Sequence, residues 1–322
     1  MNMIHPRVVF MGTPEFSVAS LAALLENNVN VVAVITAPDK PAGRGQKISI
    51  SAVKKFALEK NLPVLQPTNL KDPIFIEELR SYQPDLQVVV AFRMLPEIVW
   101  QLPKLGTFNL HASLLPQYRG AAPINWAIIN GETVSGITTF FLQQQIDTGA
   151  ILFQEKLSIG SDENAGSLHD RLMDSGAKLV VKTVEAIASG SIQPVSQDDF
   201  ISKEIVLHSA PKLNRENTRI DWQQPTQNVH NLIRGLSPYP SAHTTLHNNN
   251  TSIDCKILRA QPKATVDLKS PGHVETDQKT FLRVYTTDGC IDILELQLAG
   301  KQKMNIRDLL NGFKFSDGAY FV

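Results

Sequence analysis

The chain has 322 residues, of which 43% are hydrophobic and 19% are charged, as expected for a globular protein of two domains. The 31 Lys and Arg balance the 31 Asp and Glu, which excludes a protein that coats nucleic acid by net charge alone. Two cysteines exclude a disulfide framework, and no stretch has the length and hydropathy of a membrane span. The first residues lack the pattern of a signal peptide, so we expect a cytoplasmic protein.

The first ninety residues have the pattern of a parallel α/β sheet. Short apolar runs at residues 7–10 and 29–35 flank a segment with helical spacing at residues 16–25, which predicts a βαβ unit. The run at residues 86–91 is continuously apolar, as in a central parallel strand. The first turn contains Gly12 but not G-x-G-x-x-G, so we expect a Rossmann-like frame without a dinucleotide site.

Residues 38–55, PDKPAGRGQKISISAVKK, form a loop that is rich in proline, glycine and positive charge. We expect its start to be irregular, with Lys40, Arg44 and Lys47 reaching into solvent. One interpretation is an ordinary surface loop. The other is a basic arm that meets the phosphates of a polyanion without needing an ordered backbone.

The strongest candidate site begins in the segment NLHASLLPQYRGAAP, residues 109–123. Asn109, His111 and Ser113 alternate there, so an extended backbone puts all three side chains on one face. Asp147 follows in the turn IDTGA, after the apolar run at residues 137–142. An amide, an imidazole and a carboxylate in one pocket suit attack of an amine on an acyl carbon, because the first two can face the oxyanion and the carboxylate can direct proton transfer.

Other interpretations of these residues are weaker. Taken singly, each polar group could simply be a satisfied hydrogen-bonding side chain at a strand end. An aspartic-protease pair of Asp147 and Asp174 is disfavoured because Asp174 falls inside a predicted helix. A hydrolytic triad through Ser113 is disfavoured because the chain has no G-x-S-x-G elbow.

The second half of the chain predicts a separate domain. A long amphipathic helix spans residues 164–189, and residues 191–209 show little periodicity and are predicted to be a linker. Short strands at 253–258, 281–285 and 291–298 predict a small barrel. We therefore expect a catalytic domain over 1–190 and a C-terminal domain over 210–322. Residues 207–322 carry 14 basic and 11 acidic residues, which is compatible with contact to an RNA backbone.

The motif N-L-H-x-S-L-L-P-x-Y-R-G-A-A-P, followed by D-T-G, resembles the 10-formyltetrahydrofolate-dependent formyltransferases, and the methionyl-tRNA formyltransferases in particular. The segments TRIDW at 218–222 and RGLSPYP at 234–240 resemble signatures of the C-terminal domain of that family. The resemblance thus covers essentially the whole chain. It implies a Rossmann-like, mostly parallel sheet followed by a small OB-like barrel.

The resemblance also implies a reaction: transfer of the formyl group of 10-formyltetrahydrofolate to the α-amino group of methionyl initiator tRNA, for translation initiation. It implies no metal, and we expect a monomer. The implied catalytic residues are Asn109, His111 and Asp147. The implied folate contacts are Phe92, Met94, Leu95, Ser113, Leu114, Leu115 and Pro116, and the implied tRNA contact is Arg44. By their charge, Lys40, Lys47 and Arg119 are further candidate tRNA contacts, although Arg119 could also be a simple surface cation. The segment Phe92-Arg93-Met94 departs from the A-Y-G pattern of the family.

Three alternatives stay open. The chain could formylate an amino sugar, could hydrolyse the folate to release formate, or could bind RNA without catalysis. The basic loop and the mildly basic C-terminal domain favour tRNA over the first two. The presence of all three polar groups, Asn109, His111 and Asp147, favours an enzyme over the third.

Overall fold

The computed structural model describes residues 5–42, 47–202 and 206–322. It divides into two compact units. The first unit contains Met1–Gly120, Ser135–Leu157 and His169–Ser209, and the second contains Ala121–Val134, Ser158–Leu168 and Ala210–Val322. Two segments that we expected in the catalytic domain, 121–134 and 158–168, are therefore grouped with the C-terminal part of the chain.

Helices and strands alternate in the first part of the chain, and strands dominate the second. The elements up to residue 188 are β1 Val8–Gly12, α1 Glu15–Glu26, β2 Val31–Ile35, β3 Lys40–Ala42, β4 Lys47–Ser49, α2 Ala52–Glu59, β5 Val64–Leu65, α3 Pro73–Ser81, β6 Leu86–Val90, α4 Glu97–Trp100, β7 Thr107–His111, β8 Arg119–Gly120, α5 Pro123–Ile129, β9 Val134–Phe141, β10 Ile151–Ser158 and α6 Ala165–Ala188. Then follow a 3₁₀ helix Gln197–Phe200, β11 Ser209–Ala210, α7 Thr226–Leu236, β12 Ala242–Asn248, β13 Thr251–Lys263, β14 Val274–Thr276, β15 Leu282–Tyr285, β16 Cys290–Leu298, β17 Met304–Asn305, α8 Ile306–Gly312 and β18 Tyr320–Phe321.

The first unit is built on a sheet with the strand order β10-β9-β7-β6-β1-β2-β5. Strands β7, β6, β1, β2 and β5 run parallel to one another, and β9 runs antiparallel to β7. Every residue of β1 and β6 is buried, because a parallel sheet is covered on both faces. The predicted Rossmann-like frame is confirmed, and it brings the carboxyl ends of β6 and β7 side by side.

The second unit is an antiparallel barrel with the strand order β14-β15-β16-β13-β12-β18. Burial alternates along β12, so one face of the strand lines the barrel core. An antiparallel bridge between His273 and Tyr320 joins the two ends of this strand path and nearly closes the sheet. The predicted small barrel is confirmed.

Two predictions about irregular segments differ from the structure. Residues 40–42 form β3, which pairs with β4, so the basic loop begins in a short strand and not in an irregular turn. The described residues of the predicted linker, 191–202 and 206–209, belong to the first unit: Val195 pairs with Ile151, and Gln197 is almost fully buried. Low periodicity did not distinguish a free linker from an irregular segment that packs on a sheet. Among the described residues, no helix combines the length and the hydropathy of a membrane span.

Candidate active site

Strand β7 presents Asn109 and His111 at its carboxyl end. Asn109 pairs with Val89 of β6 on one side and with Phe140 of β9 on the other. The two side chains share a face because they lie two residues apart on an extended strand. The Asn109 amide is half-buried and makes no hydrogen bond within the described residues. An amide donor without a protein partner is available to a ligand.

His111 is held by one ring nitrogen only. The residue is 8% exposed, and Nε2 lies 2.9 Å from the carbonyl oxygen of Tyr118. Because a carbonyl oxygen can only accept, Nε2 carries a hydrogen and donates it. The other nitrogen, Nδ1, is therefore the one that can take up or give back a proton.

Asp147 faces that second nitrogen. Its Oδ2 lies 3.9 Å from Nδ1 of His111 and accepts a hydrogen bond of 3.0 Å from the backbone N–H of Gly120. The 3.9 Å separation is too long for a hydrogen bond but short enough for electrostatic attraction when Nδ1 is protonated. Gly120 has φ +128°, a conformation that favours glycine, which explains the Arg-Gly pair of the motif.

The turn IDTGA has a shape that depends on its glycine. Asp147 has φ +54°, in the left-handed region that Asp tolerates better than most residues. A Cβ on Gly149 would lie 1.7 Å from the carbonyl oxygen of Phe141, so no larger residue fits at this position. The D-T-G pattern thus fixes a close approach of the turn to β9, and this approach sets the position of the carboxylate.

The segment after His111 is more buried than its predicted role requires. Ser113, Leu115 and Pro116 are buried, and only Leu114 of this group is half-buried. The Ser113 hydroxyl donates to the carbonyl oxygen of Gln117 at 2.6 Å. Its hydrogen is thus used within the protein, while its oxygen can still accept a hydrogen bond. The contact between Ser113 and the folate stays a prediction.

The predicted folate residues after β6 are mixed in exposure. Met94 is 73% exposed, Phe92 is half-buried against the core of the first unit, and Leu95 is buried. Arg93, which departs from the family pattern, donates through its guanidinium to the carbonyl oxygens of Pro67 and Thr68. Arg93 therefore anchors this segment, while Phe92 and Met94 offer apolar surface next to the end of β7.

The predicted tRNA residues fall into two groups. Lys40 is exposed, whereas Arg44 and the side chain of Lys47 lie outside the described residues. Arg119 is half-buried, and its Nε and Nη2 donate to Oε1 of Gln197 at 3.0 and 2.6 Å. Two of its three guanidinium nitrogens are thus engaged within the protein, which is a different arrangement from the predicted contact with an anionic substrate.

Sequence reasoning missed the residues that hold the backbone of the site through hydrogen bonds. Gln197 donates to the carbonyl oxygens of Asp147 and Gly149. His208 accepts from the Tyr118 N–H at 2.7 Å and stacks on its ring. Both supporting residues belong to the predicted linker, where no periodicity or motif marked them.

The described residues contain no group of three or more His, Cys, Asp or Glu arranged to hold a metal ion. What they do bring together is a donor amide, an imidazole with one available nitrogen and a carboxylate beside it. Such a set can stabilise an oxyanion and move one proton.

Residues 6–184 match the family described as formyl transferase, and residues 212–314 match the formyl transferase C-terminal domain. The chain is 51% identical to the methionyl-tRNA formyltransferase of Bacteroides fragilis over 313 residues, which is 97% of this chain and 96% of the relative. It is 53% identical to the methionyl-tRNA formyltransferase of Phocaeicola vulgatus, over 97% of both chains.

A solved structure extends the comparison to the fold. The N-formyltransferase from Helicobacter canadensis, in complex with folinic acid and dTDP-3-aminofucose, superposes with a TM-score of 0.65 at 19% identity. The match covers 93% of this chain and all of the other. At this identity the likeness concerns the fold alone.

Proposed function

The chain belongs to the formyl transferase family, and we propose that it transfers the formyl group of 10-formyltetrahydrofolate to the α-amino group of methionyl initiator tRNA. The observation that carries this proposal is the arrangement of Asn109, His111 and Asp147 at the end of β7. The relatives at 51% and 53% identity, which bear the name methionyl-tRNA formyltransferase, support the choice of tRNA. Localisation in the cytoplasm and a monomeric state stay predictions.

The first role of the site is to stabilise negative charge. When the amine attacks the formyl carbon, charge develops on the formyl oxygen and needs donors that are already in place. The Asn109 amide is such a donor, because it makes no competing hydrogen bond among the described residues. Nδ1 of His111 becomes a second donor, to the oxygen of the tetrahedral intermediate, only after it has taken the proton of the amine.

The second role is to move a proton from the amine. Nδ1 of His111 is the available nitrogen, because Nε2 donates to Tyr118. The Oδ2 of Asp147, 3.9 Å from Nδ1, lies where it can attract the ring electrostatically after the transfer. The proton must finally reach the departing folate nitrogen, and we assign this relay to Asp147, whose carboxylate is held by the Gly120 N–H.

The folate would lie against the apolar surface next to this end of the sheet. Phe92 and Met94 follow β6, whose residue Val89 pairs with Asn109. An aromatic and a thioether side chain suit contact with a flat pteridine ring. Leu114, the half-buried member of the motif segment, stays a predicted folate contact. The carboxyl ends of strands are where open α/β sheets bind their ligands.

The tRNA would meet the basic loop that starts at Lys40, with Arg44 as its predicted contact. The base of this loop is fixed by Asp39, which pairs with Lys54 at 2.5 Å and accepts from Gln66 at 2.8 Å. The hydrogen bond from Lys54 is the main reason that the pKa of Asp39 lies below its ordinary value. An anchored base lets a basic loop reach phosphates without losing its place on the protein.

The proposal is tested by incubating the protein with 10-formyltetrahydrofolate and a mixture of charged tRNAs. We expect formyl-methionine on initiator tRNA, detected by mass spectrometry after mild deacylation. Parallel reactions replace tRNA with a nucleotide-linked amino sugar or omit the acceptor. Formyl transfer to the sugar alone, formate release without any acceptor, or tRNA binding without turnover would each contradict the proposal.

A further inference from the structure

We propose that Gln197 is a positioning residue for the catalytic pair: it holds the backbone around Asp147 so that the carboxylate stays opposite Nδ1 of His111. This inference rests on the proposed function and adds to it a residue 50 positions away from Asp147 in the sequence. Gln197 is almost fully buried, and its described hydrogen bonds go to Arg119, Asp147 and Gly149 and not to the imidazole, so it would act through Asp147.

The contacts of Gln197 use its whole amide group. Nε2 donates to the carbonyl oxygens of Asp147 and Gly149, at 2.9 and 2.8 Å. Oε1 accepts from two nitrogens of Arg119, at 3.0 and 2.6 Å. A glutamine amide has two hydrogens and two acceptor lone pairs, so all four are occupied. The residue is 2% exposed, so the loss of any of these hydrogen bonds would leave a buried polar group without a partner.

The backbone that carries Gln197 is itself fixed. Val195 exchanges two hydrogen bonds with Ile151, of 2.8 and 2.9 Å, at the start of β10. Ser196 then caps the 3₁₀ helix by accepting from the N–H of Asp198. Gln197 follows directly and points back to the turn that precedes β10. Its position is thus set by strand pairing on one side and a capped turn on the other.

The turn that Gln197 holds needs external support. Asp147 adopts a left-handed conformation, and among the described residues its carboxylate accepts one hydrogen bond, from Gly120. The attraction to His111 acts over 3.9 Å and does not fix the turn by itself. Holding the two carbonyl oxygens on either side of Thr148 restrains the backbone at the point where the Asp147 side chain leaves it. Small shifts of a catalytic group lower the reaction rate strongly, and a misplacement of about 1 Å can reduce it about 100-fold.

Arg119 orients the amide group of Gln197. Its two donors to a single amide oxygen form charge-assisted hydrogen bonds, which fix the amide orientation and keep both N–H groups aimed at the carbonyl oxygens. The residue next to Arg119 is Gly120, whose N–H binds Asp147. One short segment therefore holds the carboxylate directly and the turn backbone through Gln197.

The test compares Gln197→Ala and Gln197→Glu with the unaltered protein in the formylation assay. Ala removes all four hydrogen bonds, whereas Glu keeps the side-chain volume and pairs with Arg119 but cannot donate to the carbonyl oxygens. We expect kcat to fall about 10- to 100-fold in both variants, with KM for methionyl tRNA within about twofold. The Glu variant keeps the test valid if the Ala variant does not fold.

A double-mutant cycle identifies the route of the effect. In an Asp147→Asn background, Gln197→Ala should lower kcat by less than about twofold, because the carboxylate that it positions is already gone. Gln87→Ala is the matched control: Gln87 is also buried in the first unit, and its Oε1 accepts from Thr107 at 2.9 Å. We expect this control to lose stability but to keep its kcat.

The outcomes separate the two proposals. An unaltered protein without formylation activity would contradict the proposed function and, with it, this inference. An active protein whose kcat is unchanged by a folded Gln197 variant would contradict the positioning role alone. So would an undiminished loss in the Asp147→Asn background, or an equal loss of kcat in Gln87→Ala.

Discussion

Two acid–base clusters of this protein have opposite designs. In the first unit, His111 and Asp147 stand 3.9 Å apart, and the neighbouring Asn109 amide has no partner among the described residues. In the second unit, Arg283 donates to Asp292 at 2.8 Å and lies 3.5 Å from Glu275. Glu275 also accepts from the Tyr285 hydroxyl at 2.5 Å.

The difference distinguishes a cluster that serves a reaction from a cluster that stabilises the fold. Charged groups that serve the fold tend to be paired closely, because each unpaired buried charge or donor lowers stability. Groups that serve a reaction must keep a free donor or a free lone pair for the substrate. We therefore expect changes in the His111 cluster to affect turnover and changes in the Arg283 cluster to affect stability.

The largest expected effect is that of His111→Ala. The variant loses the nitrogen that takes the proton and faces the oxyanion, so kcat should fall about 100- to 10,000-fold. The measurement is the single-turnover rate of formyl-methionine formation. His169→Ala serves as the control, since His169 lies on α6 in the same unit, pairs with Asp170 and contacts Phe16. Comparable loss in the control would contradict the assignment.

Asn109→Ala should follow, with a loss of about 100- to 1000-fold in kcat, the range for a single oxyanion donor. Asn109→Asp should lose as much, because it keeps the size of the side chain but has no N–H to donate. Since the amide makes no hydrogen bond to the described residues, the free energy of unfolding, measured by urea titration, should change by less than about 0.5 kcal/mol. Near-normal turnover in a folded Asn109→Ala variant would exclude this residue from catalysis.

Arg283→Ala should reverse this pattern. The side chain is 16% exposed, and its hydrogen bond to Asp292 raises the pKa of the guanidinium above its ordinary value. Loss of these bonds should lower the free energy of unfolding by about 1–3 kcal/mol, while kcat at saturating tRNA stays unchanged. Urea titration followed by tryptophan fluorescence measures the first quantity. Arg283→Lys keeps the charge without the planar fork and should recover only part of the loss.

The smallest effect is a dependence of stability on alkaline pH. Burial, together with the hydrogen bond to Glu275, raises the pKa of Tyr285 to about 12. Because the folded state favours the protonated phenol, its contribution is complete below the unfolded value near 10 and is lost as pH rises toward 12. Urea midpoints between pH 9 and 11 should fall less steeply in Tyr285→Phe. Identical slopes in both proteins would contradict this account.

The sequence was sufficient for most of the fold. The apolar run of β6 predicted a central parallel strand, because burial on both faces leaves a continuous apolar run, and the series of short strands in the second half predicted a small barrel. The motif segment predicted the polar groups of β7 in the same way. Thr107–His111 is a strand as expected, and its alternation puts Asn109 and His111 on one face.

The tertiary structure decided how those groups are held. No local pattern could reveal that Nε2 of His111 donates to the carbonyl oxygen of Tyr118, or that the Ser113 hydroxyl donates to the carbonyl oxygen of Gln117. The predicted linker proved to carry Gln197, which reaches the Asp147 turn across 50 residues. Residue type and spacing record which side chains can do chemistry and which face of an element is buried. Hydrogen bonds between segments that lie far apart in the chain arise only when the fold brings them together, and they leave no periodic trace in the sequence.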